Sequence, residues 1–419
     1  MRVGPAWAKP WAQGPNPFGL TELEVATGHV FGQVDAPPWP EGPEMDGGPL
    51  DVLFDEARHI LSRGRCVVAF SGGRDSSALL ACFLHVARRD GFEEPTAITA
   101  RWPGDAAAEE SEWQEHVARG LKVKRWEIIT PGTDFDLLGP LATGLLRAHG
   151  LLWPAPAAVL LPMLDAAGDG VLVTGDGGDE AFGVWDMGRI WSAVKQGRAL
   201  RSAVRPVLGA AMPDWLRRRR ALSGAEPYQS WLTPEAWTAL QETLAAEAVA
   251  AAPLWWPDYL RAVDSDRGLR LGERVFAAIC ASRGGSLATP LKSPAFLSAL
   301  ARCGGRLGLG DRTSAMRALF SPLLDDTVLS RASKATFAGV HWGPASRQFA
   351  KDWDGTGVPV RWVDVDALRA AWCAPTPVYG GALPLHAAWL ATNPEVGPDT
   401  PKLAIKPVTP VQAAFLTTG

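Results

Sequence analysis

Two short apolar runs, each followed at once by a loop rich in glycine and acidic residues, constrain the fold of this chain more than any other feature. The first run covers residues 66–70, and the loop after it, residues 71–77, reads Ser-Gly-Gly-Arg-Asp-Ser-Ser. An apolar-rich helical pattern follows over residues 78–88. Because a short apolar run bounded by turn residues predicts a buried strand, this stretch is interpreted as strand, glycine loop and helix.

Strand and helix patterns alternate through the first half of the chain. Further strands are predicted at residues 96–101, 125–129 and 170–174, and further helices at residues 51–63 and 109–120. Such alternation is typical of an α/β protein with a parallel sheet. Beyond about residue 185 the strand pattern fades, and the chain up to residue 330 is predicted to be mostly helical.

The first loop has the chemistry of a phosphate site. The start of a helix offers free N–H groups and the positive end of the helix dipole, both of which favour an anion. Gly72 and Gly73 permit a close approach of the backbone. Three serines add hydroxyl donors: Ser71, Ser76 and Ser77. Asp75 would repel phosphate unless a cation bridges the two, so the loop predicts a phosphate and a divalent cation together.

The second loop follows the strand predicted at residues 170–174 and reads Gly-Asp-Gly-Gly-Asp-Glu over residues 175–180. Parallel strands bring their carboxyl ends to one edge of the sheet, where α/β proteins bind ligands. Asp75 and Asp179 are therefore expected to face each other across a bound nucleotide. Two carboxylates with phosphate oxygens form the oxygen ligand set that Mg²⁺ prefers; the alternative is a calcium-like or purely structural acidic turn.

Together the two loops resemble those of the PP-loop ATP pyrophosphatases. The first resembles their SGGxDS loop, and residues 174–183 resemble the SGDGGDE(L/V)FGG segment of asparagine synthetases and their relatives. The resemblance implies cleavage of ATP between its α and β phosphates, with pyrophosphate on the first loop and Mg²⁺ on Asp75 and Asp179. It also implies nucleotide contacts from three glycines of the second loop: Gly175, Gly177 and Gly178.

The resemblance further implies three candidate catalytic residues. Asp176 falls where asparagine synthetases carry an acid and β-lactam synthetases a catalytic Tyr. Glu273 lies near the spacing of the catalytic Glu of β-lactam synthetases, with a helix-surface carboxylate as the alternative; either acid could deprotonate the amine. Lys334 lies in residues 329–337, which resemble the family's LxRxxKxxF run. A lysine near the phosphates is a mobile point charge suited to developing negative charge.

Two other segments bear on the substrate. Residues 284–294 resemble the family's GVExRxPFLD, but Ser286 and Ala288 replace its Glu and Arg, which argues against an aspartate substrate. Residues 363–372 and 384–390 are similar to the C-termini of lasso-peptide cyclases. In that branch an acidic side chain of a peptide is adenylated and then attacked by the N-terminal amine of the same peptide.

The resemblance covers an asparagine synthetase-like domain over residues 51–390. It is expected to comprise an α/β core at about 51–185 and a helical part at about 186–390, between an irregular N-terminal arm (1–50) and a C-terminal tail (391–419). Asparagine synthetases begin with a glutaminase domain whose N-terminal Cys is the nucleophile. Position 2 here is Arg2, and the predicted first strand begins at residue 66, so the nitrogen nucleophile is expected to be free ammonia or a substrate amine.

These features predict an ATP-dependent, AMP- and pyrophosphate-forming amide ligase that acts on a peptide or small-molecule carboxylate. Macrolactam formation on a biosynthetic peptide is the favoured reaction, with a leader peptidase or leader-binding protein as partner. An ammonia-using asparagine synthetase, a β-lactam synthetase and a catalytically inactive scaffold homologue are the alternatives. The four arginines at residues 217–220 are either a solvated helix face or a contact for an acidic partner or leader segment.

Composition excludes several other classes. The net charge is −4, which gives no general nucleic-acid footprint, and no apolar stretch reaches the ~18 residues of a membrane span, so neither partner is expected. The N-terminus lacks the pattern of a signal peptide. The five cysteines are scattered without CxxC spacing, which argues against zinc or a disulfide framework and favours the reducing cytoplasm. The 19 tryptophans predict either core filling or a binding surface.

Overall fold

Five parallel strands form the centre of the fold. The computed structural model describes residues 19–40, 47–102, 105, 108–130, 132–183, 216, 229–250, 253–332, 335 and 339–393. Its strands are β1 (Cys66–Ala69), β2 (Thr96–Ala100), β3 (Trp126–Ile129), β4 (Val171–Val173) and β5 (Ser286–Ala288). They lie in the order β3-β2-β1-β4-β5, and every neighbouring pair is parallel. The predicted parallel α/β sheet is thus confirmed.

Helices flank the sheet and are connected by loops and short 3-10 turns. In chain order they are α1 (Glu22–Thr27), α2 (Pro49–Leu61), α3 (Arg74–Asp90), α4 (Ser111–Gly120), α5 (Pro140–His149), α6 (Leu161–Ala167), α7 (Gly178–Ala181), α8 (Pro234–Ala250), α9 (Trp256–Asp264), α10 (Arg267–Ser282), α11 (Pro294–Gly304), α12 (Arg312–Phe320), α13 (Asp326–Leu329), α14 (Pro344–Asp352), α15 (Val365–Cys373) and α16 (Ala382–Thr392). None of these described helices has the length and apolarity needed to cross a bilayer.

The sheet is buried between two helical layers. Alternate strand residues point to opposite faces, and apolar residues on each face pack against one of the layers. Val68 of β1 packs into the core formed with α2, α3, α11 and α12. Its neighbour Val67 packs into the core formed with α5, α6 and α10. Strand β1 lies between β2 and β4, so the order of the strands along the chain reverses there. Ligands of open α/β sheets bind in the crevice at such a reversal.

The start of α3 differs from the sequence prediction. The helix was expected from residue 78, but it begins at Arg74, with Gly73 as its N-cap residue. Arg74, Asp75 and Ser76 are therefore the first turn of the helix and not part of an irregular loop. The difference matters for function because the first N–H groups of an α-helix have no partner within the helix.

Strand β5 was not predicted from the sequence, which indicated mostly helical structure in this part of the chain. It has three residues and follows two glycines, so it is too short to show a strand periodicity. Its pairing with β4 defines it, with Val171 opposite Ser286 and Val173 opposite Ala288. The helical half of the chain thus contributes an edge strand to the sheet, and the helical prediction for this segment was wrong.

A third core contains α1 and the C-terminal helices α14 to α16. Residues 19–40, within the predicted irregular arm, include α1, whose Val25 and Ala26 are fully buried. The indole N–H of Trp231 donates to the carbonyl of Ala26 at 2.8 Å. Trp231 and Trp372 are among the largest fully buried side chains, so some of the tryptophans fill this core.

Candidate active site

A cavity of about 440 Å³ opens at the carboxyl ends of β1, β2 and β4. One end is polar and is formed by the two glycine-containing loops together with three arginines: Arg74, Arg312 and Arg331. The other walls are largely apolar and come from β1 and the residue after it, from β2, from α6 and the 3-10 turn before it, and from α10: Ala69, Phe70, Ile98, Ala100, Val159, Leu160, Met163 and Phe276. The cavity therefore combines a charged end with an apolar body.

The first loop is folded tightly around its own hydroxyl groups. The Ser71 and Ser76 hydroxyl oxygens lie 3.1 Å apart, and the Ser76 hydroxyl donates to the Gly73 carbonyl at 3.1 Å. Gly72 has a φ of +83°, and a Cβ built there would lie 2.9 Å from Cγ of Gln114. Gln114 in turn donates its amide N–H to the Ser71 carbonyl at 3.1 Å. Helix α4 thus holds the loop in place, and the N-cap residue of α3, Gly73, has no side chain with which to cap the helix.

The second loop lies directly against the first. The hydroxyl of Thr174 donates to Asp176 Oδ2 at 2.8 Å, which orients that carboxylate at the cavity wall. A Cβ built on Gly178 would lie 2.4 Å from Cγ of Asp75. Only glycine at this position allows the two loops to approach so closely.

The carboxylates of Asp75 and Asp179 meet on one guanidinium group. Arg312 Nη2 lies 2.5 Å from Asp75 Oδ2, and Arg312 Nη1 lies 2.6 Å from Asp179 Oδ1. Burial raises the pKa of Asp75, and the attraction of Arg312 offsets that rise only in part. For Arg312 burial lowers the pKa, but the two carboxylates outweigh burial and raise it. The facing arrangement that the sequence predicts for the two aspartates is therefore present in the fold.

These residues fit a magnesium-bound nucleotide. Asp75 Oδ1 is buried and makes no hydrogen bond with any described residue. This carboxylate oxygen is therefore available to bind a metal ion. The two carboxylates and the phosphate oxygens of a nucleotide supply the hard oxygen ligands that Mg²⁺ binds. The uncapped start of α3, a helix of 17 residues, suits the phosphates.

Two further charged residues at the cavity were not found from the sequence. Arg331 Nη2 lies 2.5 Å from Glu110 Oε1, and its guanidinium stacks over the Trp113 ring at 4.6 Å. Glu110 also accepts a hydrogen bond from the backbone N–H of Ala335 at 3.1 Å. Arg331 occupies the arginine position of the LxRxxKxxF run, which was the available signal. Glu110 precedes α4 without any motif of its own.

The remaining predicted residues lie in several places. Gly72, Gly177 and Gly178 are not among the described residues that line the cavity, and Ser77 is fully buried. Glu273 lies on α10, where it accepts from the Thr289 hydroxyl at 3.3 Å and contacts Arg270; it is not on the wall, although Phe276 of the same helix is. Lys334 and the arginines at 217–220 lie outside the described residues.

Comparison with known families agrees with this geometry. A family model described as Asparagine synthase matches residues 56–266, half of the chain. The matched segment runs from α2 to the turn after α9 and contains both loops, Asp75 and Asp179. No curated protein matches the chain. The chain therefore belongs to the asparagine synthase family, whose general activity is ATP-dependent amide formation.

Proposed function

We propose that this protein is an AMP- and pyrophosphate-forming amide ligase, which adenylates a carboxylate and transfers the acyl group to an amine. The observation that carries the proposal is the meeting of Asp75 and Asp179, from the first turns of the helices that follow β1 and β4, at the polar end of a nucleotide-sized cavity. Carboxylates from two such segments at one sheet edge are suited to holding a cation against phosphate oxygens.

The cavity suggests how ATP is oriented. The phosphates belong at the polar end, where Ser71, Gly73 and Ser76 line the wall and α3 begins. The base and ribose belong against the apolar walls, which include Ile98 and Phe276. Magnesium, when bound by Asp75 and Asp179, would neutralise charge on the phosphates.

The reaction then has two steps. In the first, a substrate carboxylate oxygen attacks the α-phosphorus, and the bond to the bridging oxygen breaks, which releases pyrophosphate. In the second, the amine nitrogen attacks the acyl carbon, the carbon–oxygen bond to AMP breaks, and the nitrogen loses a proton. We propose that the Asp176 carboxylate accepts this proton, because Asp176 lies on the cavity wall, whereas Glu273 does not. Lys334 is proposed to stabilise charge at the reacting centre; its neighbours Ala332 and Ala335 line the cavity.

We further propose that the carboxylate and the amine belong to one biosynthetic peptide, which closes to a macrolactam. The support is the chemistry of β5, the neighbour of β4, where Ser286 and Ala288 offer no charge to bind the polar groups of a small amino acid. A leader peptidase or leader-binding protein is the proposed partner. The cytoplasm is the proposed location, since the five cysteines are all free thiols.

The test is a product assay with ATP, Mg²⁺ and either candidate peptides or small amino acids with and without ammonia. We expect AMP and pyrophosphate in equal amounts and a peptide product lighter by one water molecule. Asp75→Asn and Asp179→Asn should each reduce pyrophosphate formation by about a hundredfold or more, because the cation loses a charged ligand. Asp326→Asn, an exposed partner of Arg317, is the matched control.

Each other outcome selects a different function. Formation of ADP and phosphate in place of AMP would exclude adenylation. Turnover of small amino acids but of no peptide would favour an asparagine synthetase or a β-lactam synthetase. Unchanged rates in both aspartate variants would show that the metal assignment is wrong.

A further inference from the structure

A cation of the protein itself lies between the two proposed metal ligands. Arg312 is the first residue of α12, whose N-cap residue Asp311 accepts from the backbone N–H of Ser314 at 2.8 Å. From there the guanidinium reaches Asp75 and Asp179, one nitrogen to each. No role was predicted for Arg312 from the sequence.

The Arg312 guanidinium neutralises both carboxylates, but some buried hydrogen-bonding atoms of the three side chains have no partner among the described residues. Two carboxylates held this close repel each other, and a planar guanidinium with several N–H donors can neutralise both. Yet Asp75 Oδ1 and Arg312 Nε are both buried without a hydrogen-bond partner among the described residues. A buried polar atom without a partner is costly, so this ion triad is less stable than one in which each charged group has all its partners.

A second basic residue lies at the same end of the cavity. Arg74, in the first turn of α3, donates to the Thr313 hydroxyl at 3.1 Å and lines the wall with Arg312. Two guanidinium groups thus lie beside the start of α3, in a region suited to a polyanion.

We propose that Arg312 is the exchangeable counter-ion of Asp75 and Asp179: a divalent cation displaces it from the carboxylates, and the released guanidinium then binds the phosphates of the nucleotide. The inference rests on the proposed function, because it takes the two aspartates as the metal ligands. Arg312 competes with the metal when no nucleotide is present. When nucleotide is present, the phosphates give the guanidinium a new partner, so metal and nucleotide bind cooperatively.

The experiment measures Mn²⁺ binding to the full chain by electron paramagnetic resonance, with and without α,β-methylene-ATP, which cannot be cleaved between its α and β phosphates. In Arg312→Gln we expect Mn²⁺ alone to bind about tenfold more tightly than in the wild type, because two charge-assisted hydrogen bonds no longer compete. The analogue should then strengthen Mn²⁺ binding by a smaller factor than in the wild type. Arg312→Lys keeps the positive charge but not the planar pair of N–H donors. Its Mn²⁺ affinity should therefore lie between those of the wild type and Arg312→Gln.

The matched control is Arg317→Gln. Arg317 lies on the same helix and pairs with the exposed Asp326 outside the cavity, so its loss should leave both Mn²⁺ affinities at the wild-type values. Near-ultraviolet circular dichroism checks that each variant is folded; if Arg312→Gln is not, the comparison of Arg312→Lys with the wild type decides.

Two failures are distinguishable. If Mn²⁺ binds the folded Arg312 variants no more tightly than the wild type, the proposed displacement of Arg312 by the cation is wrong. The proposed metal ligands, Asp75 and Asp179, are not contradicted by that result. If neither the wild type nor any variant binds Mn²⁺ even with the analogue, the proposed metal ligands fail, and the proposed function fails with them.

Discussion

At the scale of single residues, the site depends on how closely two loops approach. Asp75 belongs to the first turn of α3 and Gly178 is the first residue of α7, and a side chain at Gly178 would occupy the space of the Asp75 carboxylate. The identity of both residues was evident from the motifs. Their contact follows from the adjacency of β1 and β4.

Gly178→Ala tests this contact. The new Cβ would lie 2.4 Å from Cγ of Asp75, so the two aspartates must move relative to each other. We expect pyrophosphate formation to fall by about a hundredfold, since a displacement of about 1 Å at a reacting centre has an effect of that size. The control is Gly120→Ala, at an exposed position with open space around it. A Gly178→Ala enzyme with the wild-type rate would contradict the tight approach.

At the scale of elements, helix α2 packs beside α11 through a partly buried carboxyl group. The hydroxyl of Ser293, the N-cap residue of α11, donates to Glu56 of α2. Burial raises the pKa of Glu56 to about 7 from its ordinary value of 4.5, and the Ser293 hydrogen bond offsets the rise only in part. The folded state therefore holds a proton that the unfolded chain releases at lower pH.

The pH dependence of stability follows from this difference. Because the pKa is higher in the folded state, the stabilisation is complete below pH 4.5 and is lost as the pH rises through about 7. We expect Glu56 to lower the free energy of unfolding by up to about 3 kcal/mol over that interval. Urea unfolding of the wild type and Glu56→Gln at several pH values measures this loss. If the free energy of unfolding falls equally with pH in both proteins, Glu56 is excluded as the source of the pH dependence.

Element boundaries show what local patterns can and cannot predict. The strands at β1 to β4 were predicted close to their observed bounds, because continuous apolar runs between turn residues identify buried strands. Strand β5 was not, since three residues have no period and their pairing with β4 defines them. The start of α3 was placed too late, because polar residues in a first turn look like a loop in the sequence.

At the scale of the whole molecule, the cavity joins the α/β core to the helical part. Its walls include Phe276 of α10 and Arg312 of α12, together with the ends of β1, β2 and β4. A ligand in this cavity therefore contacts elements far apart in the sequence. The two parts are expected to respond to a nucleotide as one unit.

Thermal unfolding tests that expectation. A ligand at about a hundred times its Kd stabilises the folded state by about 2.7 kcal/mol, so Mg²⁺ with α,β-methylene-ATP should raise the Tm by several degrees in a single transition. In Asp179→Asn the shift should be much smaller. The opposite result would be two separate unfolding transitions, with only one Tm raised by the ligand. That result would show that the α/β and helical parts do not share the ligand.

The sequence by itself determined the local chemistry: buried strands, glycine loops and carboxylates placed where parallel strands end. These features depend on residues near one another in the chain, so patterns and motifs reveal them. Only the tertiary structure placed Arg312 between Asp75 and Asp179, Glu110 against Arg331, and β5 beside β4. Asp75 and Arg312 are separated by 237 positions. Such contacts depend on how whole helices pack against the sheet, and no local periodicity encodes that packing.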